Sequence, residues 1–180
     1  MHILYLDYDG VLHPDAAYWH PKRGVYLHGQ PGHALFEYAA VLEAVLDPYP
    51  NLGIVLSTSW VPEMGFTRAR KRLPGSLAKR VVGATFRSRH MQRRQELARF
   101  DTDAYDAGSL KLSYHTLPRG QQVWQDVLRR RSSQWLALDN DDEGWPEAER
   151  KRLVLTDDMA GLGDACAVLA LQQALADFVS

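Results

Sequence analysis

An α/β fold, a three-layer sandwich around a mostly parallel five-stranded sheet, is what this 180-residue sequence predicts. Five short apolar runs of strand-like composition alternate with segments of helical spacing, the pattern of strand–helix–strand crossovers. Several of the runs are continuously apolar, as strands buried on both faces are. Three of them end in polar clusters, at Asp7 and Asp9, at Ser57 to Ser59, and at Asp139 to Asp142.

The first run, Ile3 to Leu6, delivers Asp7 and Asp9 and is broken by Gly10. Val11 and Leu12 then lead to His13 and Pro14. Residues 13–33 are rich in His, Pro, Gly and aromatics, which predicts a flap or small hairpin. From Ala34 to Leu46 the residues Leu35, Phe36, Ala39, Leu42, Val45 and Leu46 recur at helical spacing, and Pro48 and Pro50 end that helix. Leu52 to Leu56 is the second strand. Pro62 to Leu73 is expected to be helical, closed by Pro74 and Gly75, and Val81 and Val82 before Gly83 make a third strand. Gln92 to Phe100 reads as a helix, with loop over the rest of residues 84–120. Gln121 to Arg131 is the next helix, with Val123, Trp124, Val127 and Leu128 on one face. Trp135 to Leu138 and Leu153 to Leu155 are the last two strands. Asp164 caps a final helix that runs to about Val179, with Leu169, Leu171, Leu175 and Phe178 on its apolar side.

Composition narrows the function classes. Hydrophobic residues make up 46% and charged residues 24%, ordinary for a soluble globular protein, and the net charge of −1 gives no overall pull toward nucleic acid or membrane. Cys166 alone excludes an internal disulfide and reads as a small buried side chain among Ala165, Ala167, Val168 and Leu169. No apolar run approaches the roughly 20 residues that span a bilayer. No secretory signal pattern is seen, so the cytoplasm is the expected compartment. One domain over residues 1–180 is expected, with a flap at about 13–33 and at most a small insert within 61–118. Charge is uneven locally: residues 68–99 hold eleven Lys and Arg against the single acid Glu96. Such a segment is either a footprint for a polyanion, nucleic acid included, or a solvated face.

In an open parallel sheet, ligands bind outside the carboxyl ends of the strands. If the three polar clusters are neighbours, they gather several carboxylates and an amide, oxygen donors suited to Mg2+. Asp7 is then placed to attack an electrophile such as a phosphoryl group, and Asp9 to move a proton.

The run Asp7-Tyr8-Asp9-Gly10-Val11-Leu12-His13 resembles the first motif of the haloacid dehalogenase (HAD) superfamily. That resemblance implies a Rossmann-like sandwich and a Mg2+-dependent phosphohydrolase working through an aspartyl-phosphate, with Asp7 as nucleophile and Asp9 as general acid and base. Ile54-Val55-Leu56-Ser57 is similar to the second motif, which implies phosphoryl binding by Ser57, with Thr58 and Ser59 close enough to share it. Leu136-Ala137-Leu138-Asp139-Asn140 fills the fourth. Its Asp-Asn pair departs from the commoner Asp-Asp but is similar to that of the small C-terminal-domain phosphatases. The implied metal set is Asp7, Asp9, Asp139 and Asn140, with Asp141 an alternative. For the phosphate-binding cation of the third motif, Arg119 is the first candidate and Lys111 the second. Arg119-Gly120 opening a helix, and the late Leu153 to Asp157 and Gly161-Leu162 pattern, resemble small HAD proteins associated with Swiss-Army-knife RNA-repair systems.

The twenty-odd non-helical residues after the first motif leave no room for a large cap. An open site suits a bulky or nucleic-acid phosphate. Tyr18, Trp19 and Trp60 near the mouth either stack a base or sugar or pack; His13 either orients the flap or contacts substrate. Asp157 and Asp158 read as a solvated turn. Two rival functions remain: a non-catalytic phosphate- or nucleic-acid-binding module, and a domain in which Asp7 is only a phosphorylation site.

Overall fold

A computed structural model describes residues 2–87, 114 and 116–179. Five parallel strands form its sheet: β1 (Ile3–Leu6), β4 (Gly53–Leu56), β5 (Val81–Ala84), β6 (Trp135–Asp139) and β7 (Leu153–Leu155), in the spatial order β5-β4-β1-β6-β7. The chain builds outward from β1 on one side, then returns to build on the other. The reversal of strand order therefore falls at β1 and β6, where an open α/β sheet forms its ligand crevice.

Side chains of β1 alternate between two fully covered faces. Leu4 and Leu6, with Ile54 and Leu56, pack against α1 (Ala39–Leu46) and the last helix, α6 (Ala165–Val179), through Leu42, Leu46, Leu171 and Leu175. Ile3, Tyr5 and Val55 pack on the other face against Val123 and Val127 of α5 (Arg119–Arg130). Beneath the sheet, Tyr5 donates a 3.0 Å hydrogen bond to buried Asp126 of α5, which also pairs with Arg129 and Arg130. This ties the helix carrying Arg119 to the strand carrying Asp7. Burial and the neighbouring Asp126 carboxylate push the Tyr5 hydroxyl well above its usual pKa.

The expected flap is an antiparallel hairpin, β2 (Ala17–His20) with β3 (Gly24–Leu27). Several other expectations are corrected. The helix after it begins at Ala39, not Ala34, because Phe36 adopts a left-handed backbone at φ 61°. The segment predicted as one helix from Pro62 is two, α2 (Trp60–Met64) and α3 (Phe66–Arg70), interrupted by Gly65 at φ 88°. A further short helix, α4 (Gly75–Arg80), precedes β5. Leu128 and Leu169, assigned to apolar faces, are 59% and 64% exposed, and Cys166 is exposed rather than buried. Asp164 caps α6 as expected, accepting from the Cys166 N–H at 3.0 Å. The helix expected over 92–100 lies outside the described residues. Among those described, no helix is long and apolar enough to cross a membrane.

Candidate active site

Strand register sets the site. Leu6 pairs with Leu56 on one side and Leu138 on the other, so Asp7, Ser57 and Asp139 follow side by side at adjoining strand ends. Main-chain bonds carry that register past the strands: Asp7 N–H donates to Leu138 C=O at 3.1 Å and Ser57 N–H to Leu6 C=O at 2.9 Å. All three side chains are buried. Arg119, the first residue of α5, reaches over them. Its guanidinium donates to Asp7 Oδ2 at 3.1 Å and to the Ser57 carbonyl, and its Nε lies 3.5 Å from Asp139 Oδ2.

One guanidinium thus faces two buried carboxylates. Burial pushes the Asp7 carboxyl up from 3.8 to about 6; Arg119 opposes the rise, Asp9 adds to it, and the Tyr8 N–H and Thr58 pull it back. Burial also lifts Asp139 well above the usual carboxylate range, with Asp7 beside it adding and Arg119 opposing. For Arg119 burial favours loss of the charge, but Asp7 and Asp139 hold it protonated. Three buried side-chain oxygens have no hydrogen-bond partner among the described residues, and two of them, Ser57 Oγ and Asp139 Oδ2, are at these strand ends; the third is Gln122 Oε1 of α5. Buried polar atoms are rarely left so, and orphans at a strand end point to a ligand.

Asp9 is held differently. Its Oδ1 accepts from His13 Nε2 at 3.0 Å and its Oδ2 from Trp60 Nε1 at 2.8 Å. The Phe36 N–H donates to His13 Nδ1 at 3.3 Å, which assigns the His13 proton to Nε2. The left-handed Phe36 backbone is part of this arrangement. Gly10, at φ 68°, lets the loop pass against Asn140: a Cβ there would lie 2.5 Å from Asn140 Cγ. Thr156 Oγ1 secures the same turn by donating to the Gly10 carbonyl at 2.8 Å.

The structure thus brings together Asp7, Asp9, Ser57, Thr58, Arg119, Asp139 and Asn140. Thr58 is buried, and its Oγ1 accepts from the Trp60 N–H at 3.3 Å. Lys111 lies outside the described residues. Asp141 accepts from the Glu143 N–H at 2.7 Å and so shapes its own loop. Asp157 likewise caps a turn, accepting from the Met159 and Ala160 N–H groups at 2.9 Å. Asp158 is an exposed turn residue, as expected, and its Oδ1 also accepts from Asn140 Nδ2 at 2.9 Å, which leaves the Asn140 amide oxygen as the atom available to a cation. Sequence reasoning missed this pairing, the tie between Trp60 and Asp9, and the part of Gly120. The Gly120 N–H donates to the Glu143 carbonyl at 2.9 Å, and a Cβ there would overlap the main chain of Gly144 and Trp145. Of the basic segment, Arg70 and Arg80 are committed to main-chain carbonyls of Ala78, Tyr49 and Leu46. Arg89, Arg93, Arg94 and Arg99 lie outside the described residues.

Among the described residues no three His, Cys, Asp or Glu side chains converge as a ready metal cage. The expected set of Asp7, Asp9, Asp139 and Asn140 stands at adjoining strand ends and offers carboxylate and amide oxygens, the donor type that suits a hard cation. The excess of buried negative charge over Arg119, and an Asp139 oxygen that has an ion pair but no hydrogen bond, agree with such an ion.

A parallel sheet with this strand order, carrying an Asp-x-Asp turn after its central strand, defines a domain of the haloacid dehalogenase superfamily. Residues 3–167 match the family described as the HAD domain in Swiss Army Knife RNA repair proteins, and the chain belongs to that family. No curated protein and no solved structure matches it.

Proposed function

We propose that the protein is a Mg2+-dependent phosphomonoesterase that acts through an aspartyl-phosphate, on the phosphorylated end of a nucleic acid. The observation that carries the reading is the contact of Arg119 with Asp7, Asp139 and the Ser57 carbonyl, beside the unpartnered Ser57 Oγ. A cation and a hydroxyl so placed would hold phosphoryl oxygens in line with a carboxylate. The family description supports the nucleic-acid substrate, since it speaks of RNA repair.

In the first step an Asp7 carboxylate oxygen attacks phosphorus. The bond from phosphorus to the ester oxygen breaks, and that oxygen takes a proton from Asp9. In the second step water attacks the phosphorus of the aspartyl-phosphate and gives its proton to Asp9, which releases Asp7 and inorganic phosphate. Asp7, the Asp9 carbonyl and the Asp139/Asn140 pair, with Asp158 behind Asn140, would hold Mg2+, which would neutralise charge on the phosphoryl oxygens. Arg119 and Ser57 hold those oxygens, while His13 and Trp60 fix the Asp9 carboxylate.

The test is phosphate release from nucleotides, 5′- and 3′-phosphorylated oligonucleotides, sugar phosphates and phosphopeptides, with Mg2+ and with chelator. The Asp7→Asn variant is expected to lose turnover on every ester while remaining folded. Turnover that survives in this variant would overturn the mechanism.

A further inference from the structure

A cleft of about 520 Å³ lies between the β2–β3 hairpin and α2, with the Asp9 carboxylate in its wall. We propose that this cleft is the leaving-group subsite and that it seats the nucleoside next to the scissile phosphate, with the base against Trp19. The inference rests on the phosphomonoesterase reading above and goes beyond it by assigning a surface and a ligand class.

Position comes first. Asp9 protonates the departing ester oxygen, so the alcohol must lie on the Asp9 side of the phosphoryl group. The cleft is the space that opens there. Trp60 joins the two, because it lines the cleft and its Nε1 holds Asp9 Oδ2 at 2.8 Å. The volume is that of a small-molecule site.

Chemistry comes second. Besides Asp9, the lining carries one acid, Glu63, and one base, Arg68, while Trp19, Trp60, Val25 and Met64 contribute ring and alkyl surface. Near-balanced charge with aromatic walls suits a flat, neutral group and does not suit a second phosphate. Trp19 is 69% exposed, a large ring that folding leaves in water on a two-stranded hairpin. Trp19 shares its face of the hairpin with Ala17 and with its register partner Val25, which also line the cleft, whereas Tyr18 turns to the other face against His28. A ring at the mouth of a cleft and open to water is a platform for stacking, which every base can use.

The test measures binding rather than turnover. Calorimetry in Mg2+ on the Asp7→Asn protein compares adenosine 5′-monophosphate, ribose 5-phosphate and O-phosphotyrosine. The nucleotide is expected to bind about tenfold tighter than ribose 5-phosphate, the contribution of one stacked base. Adding Trp19→Ala, on an exposed strand, should bring the ratio near one, with circular dichroism unchanged. Equal affinities, a ratio untouched by Trp19→Ala, or no measurable nucleotide binding would each overturn the assignment. Tighter binding of O-phosphotyrosine would give the cleft to phosphopeptides instead. Failure of the phosphomonoesterase reading shows up elsewhere, as no phosphate release by the wild-type protein from any ester.

Discussion

At the scale of single residues, the Asp-x-Asp turn divides into two carboxylates with opposite surroundings. Asp7 is buried beside another carboxylate, and Asp9 has a donor on each oxygen. Such donors fix where a carboxylate points, and a general acid is useful only within hydrogen-bond reach of its target. Trp60→Phe removes one donor while keeping an aromatic ring against Tyr8 and Phe36. Protonation of the leaving oxygen matters for an alkyl phosphate and hardly at all for 4-nitrophenyl phosphate, whose phenolate departs unaided. The variant should lose about tenfold or more in kcat on an alkyl ester, part of what general acid catalysis contributes, and stay within about twofold on the aryl ester. Equal losses on both esters would mean that Trp60 only supports packing. Trp60 could not be assigned to Asp9 from sequence, because the pairing spans 51 positions and depends on where α2 begins.

At the scale of elements, Arg119 is placed by the seating of α5. Gly120 brings the first turn of that helix against the main chain of Gly144 and Trp145, and the buried Tyr5–Asp126 bond anchors the same helix under β1. Gly120→Ala adds a methyl where backbone already stands, so the helix must shift and carry Arg119 with it. We expect a loss of about 1–3 kcal/mol in urea unfolding and a fall in turnover. An unchanged midpoint together with unchanged turnover would show that the close approach is not limiting. The strand-end clusters were legible because apolar runs and the acids after them are adjacent in sequence, and five parallel strands followed from five such runs. Helix limits were less legible. The helical spacing through Leu35 and Phe36 is real, but Phe36 turns left-handed to reach His13, and that tertiary bond outweighs local periodicity. Leu128, Leu169 and Cys166 were misplaced for a related reason: apolar character alone does not say which side of a helix the sheet will cover.

At the scale of the whole molecule, the fold concentrates its electrostatic conflict where β1, β4 and β6 end. Asp7 and Asp139 are buried together against one guanidinium, an arrangement that opposes folding until a cation enters. The pH dependence follows from the direction of the shift. Because the Asp7 carboxyl is raised from 3.8 to about 6, the folded protein holds more protons than the unfolded chain between those values. Stability of the metal-free protein should therefore fall as pH rises from about 4 to about 6 and remain lower above that range. Asp139 shifts in the same direction and deepens the fall. Asp7→Asn keeps the shape, removes one of the two buried charges and leaves Arg119 facing Asp139. In chelator at pH 7 this variant should be more stable than wild type by roughly 1–3 kcal/mol, with a flatter pH profile. Mg2+ should narrow the gap by binding the folded wild-type protein. A variant less stable than wild type in chelator would show that the Arg119–Asp7 pair holds the site together more than burial of Asp7 strains it. The expected result instead places the cost of function in the folded state itself, at the position where the strand order reverses.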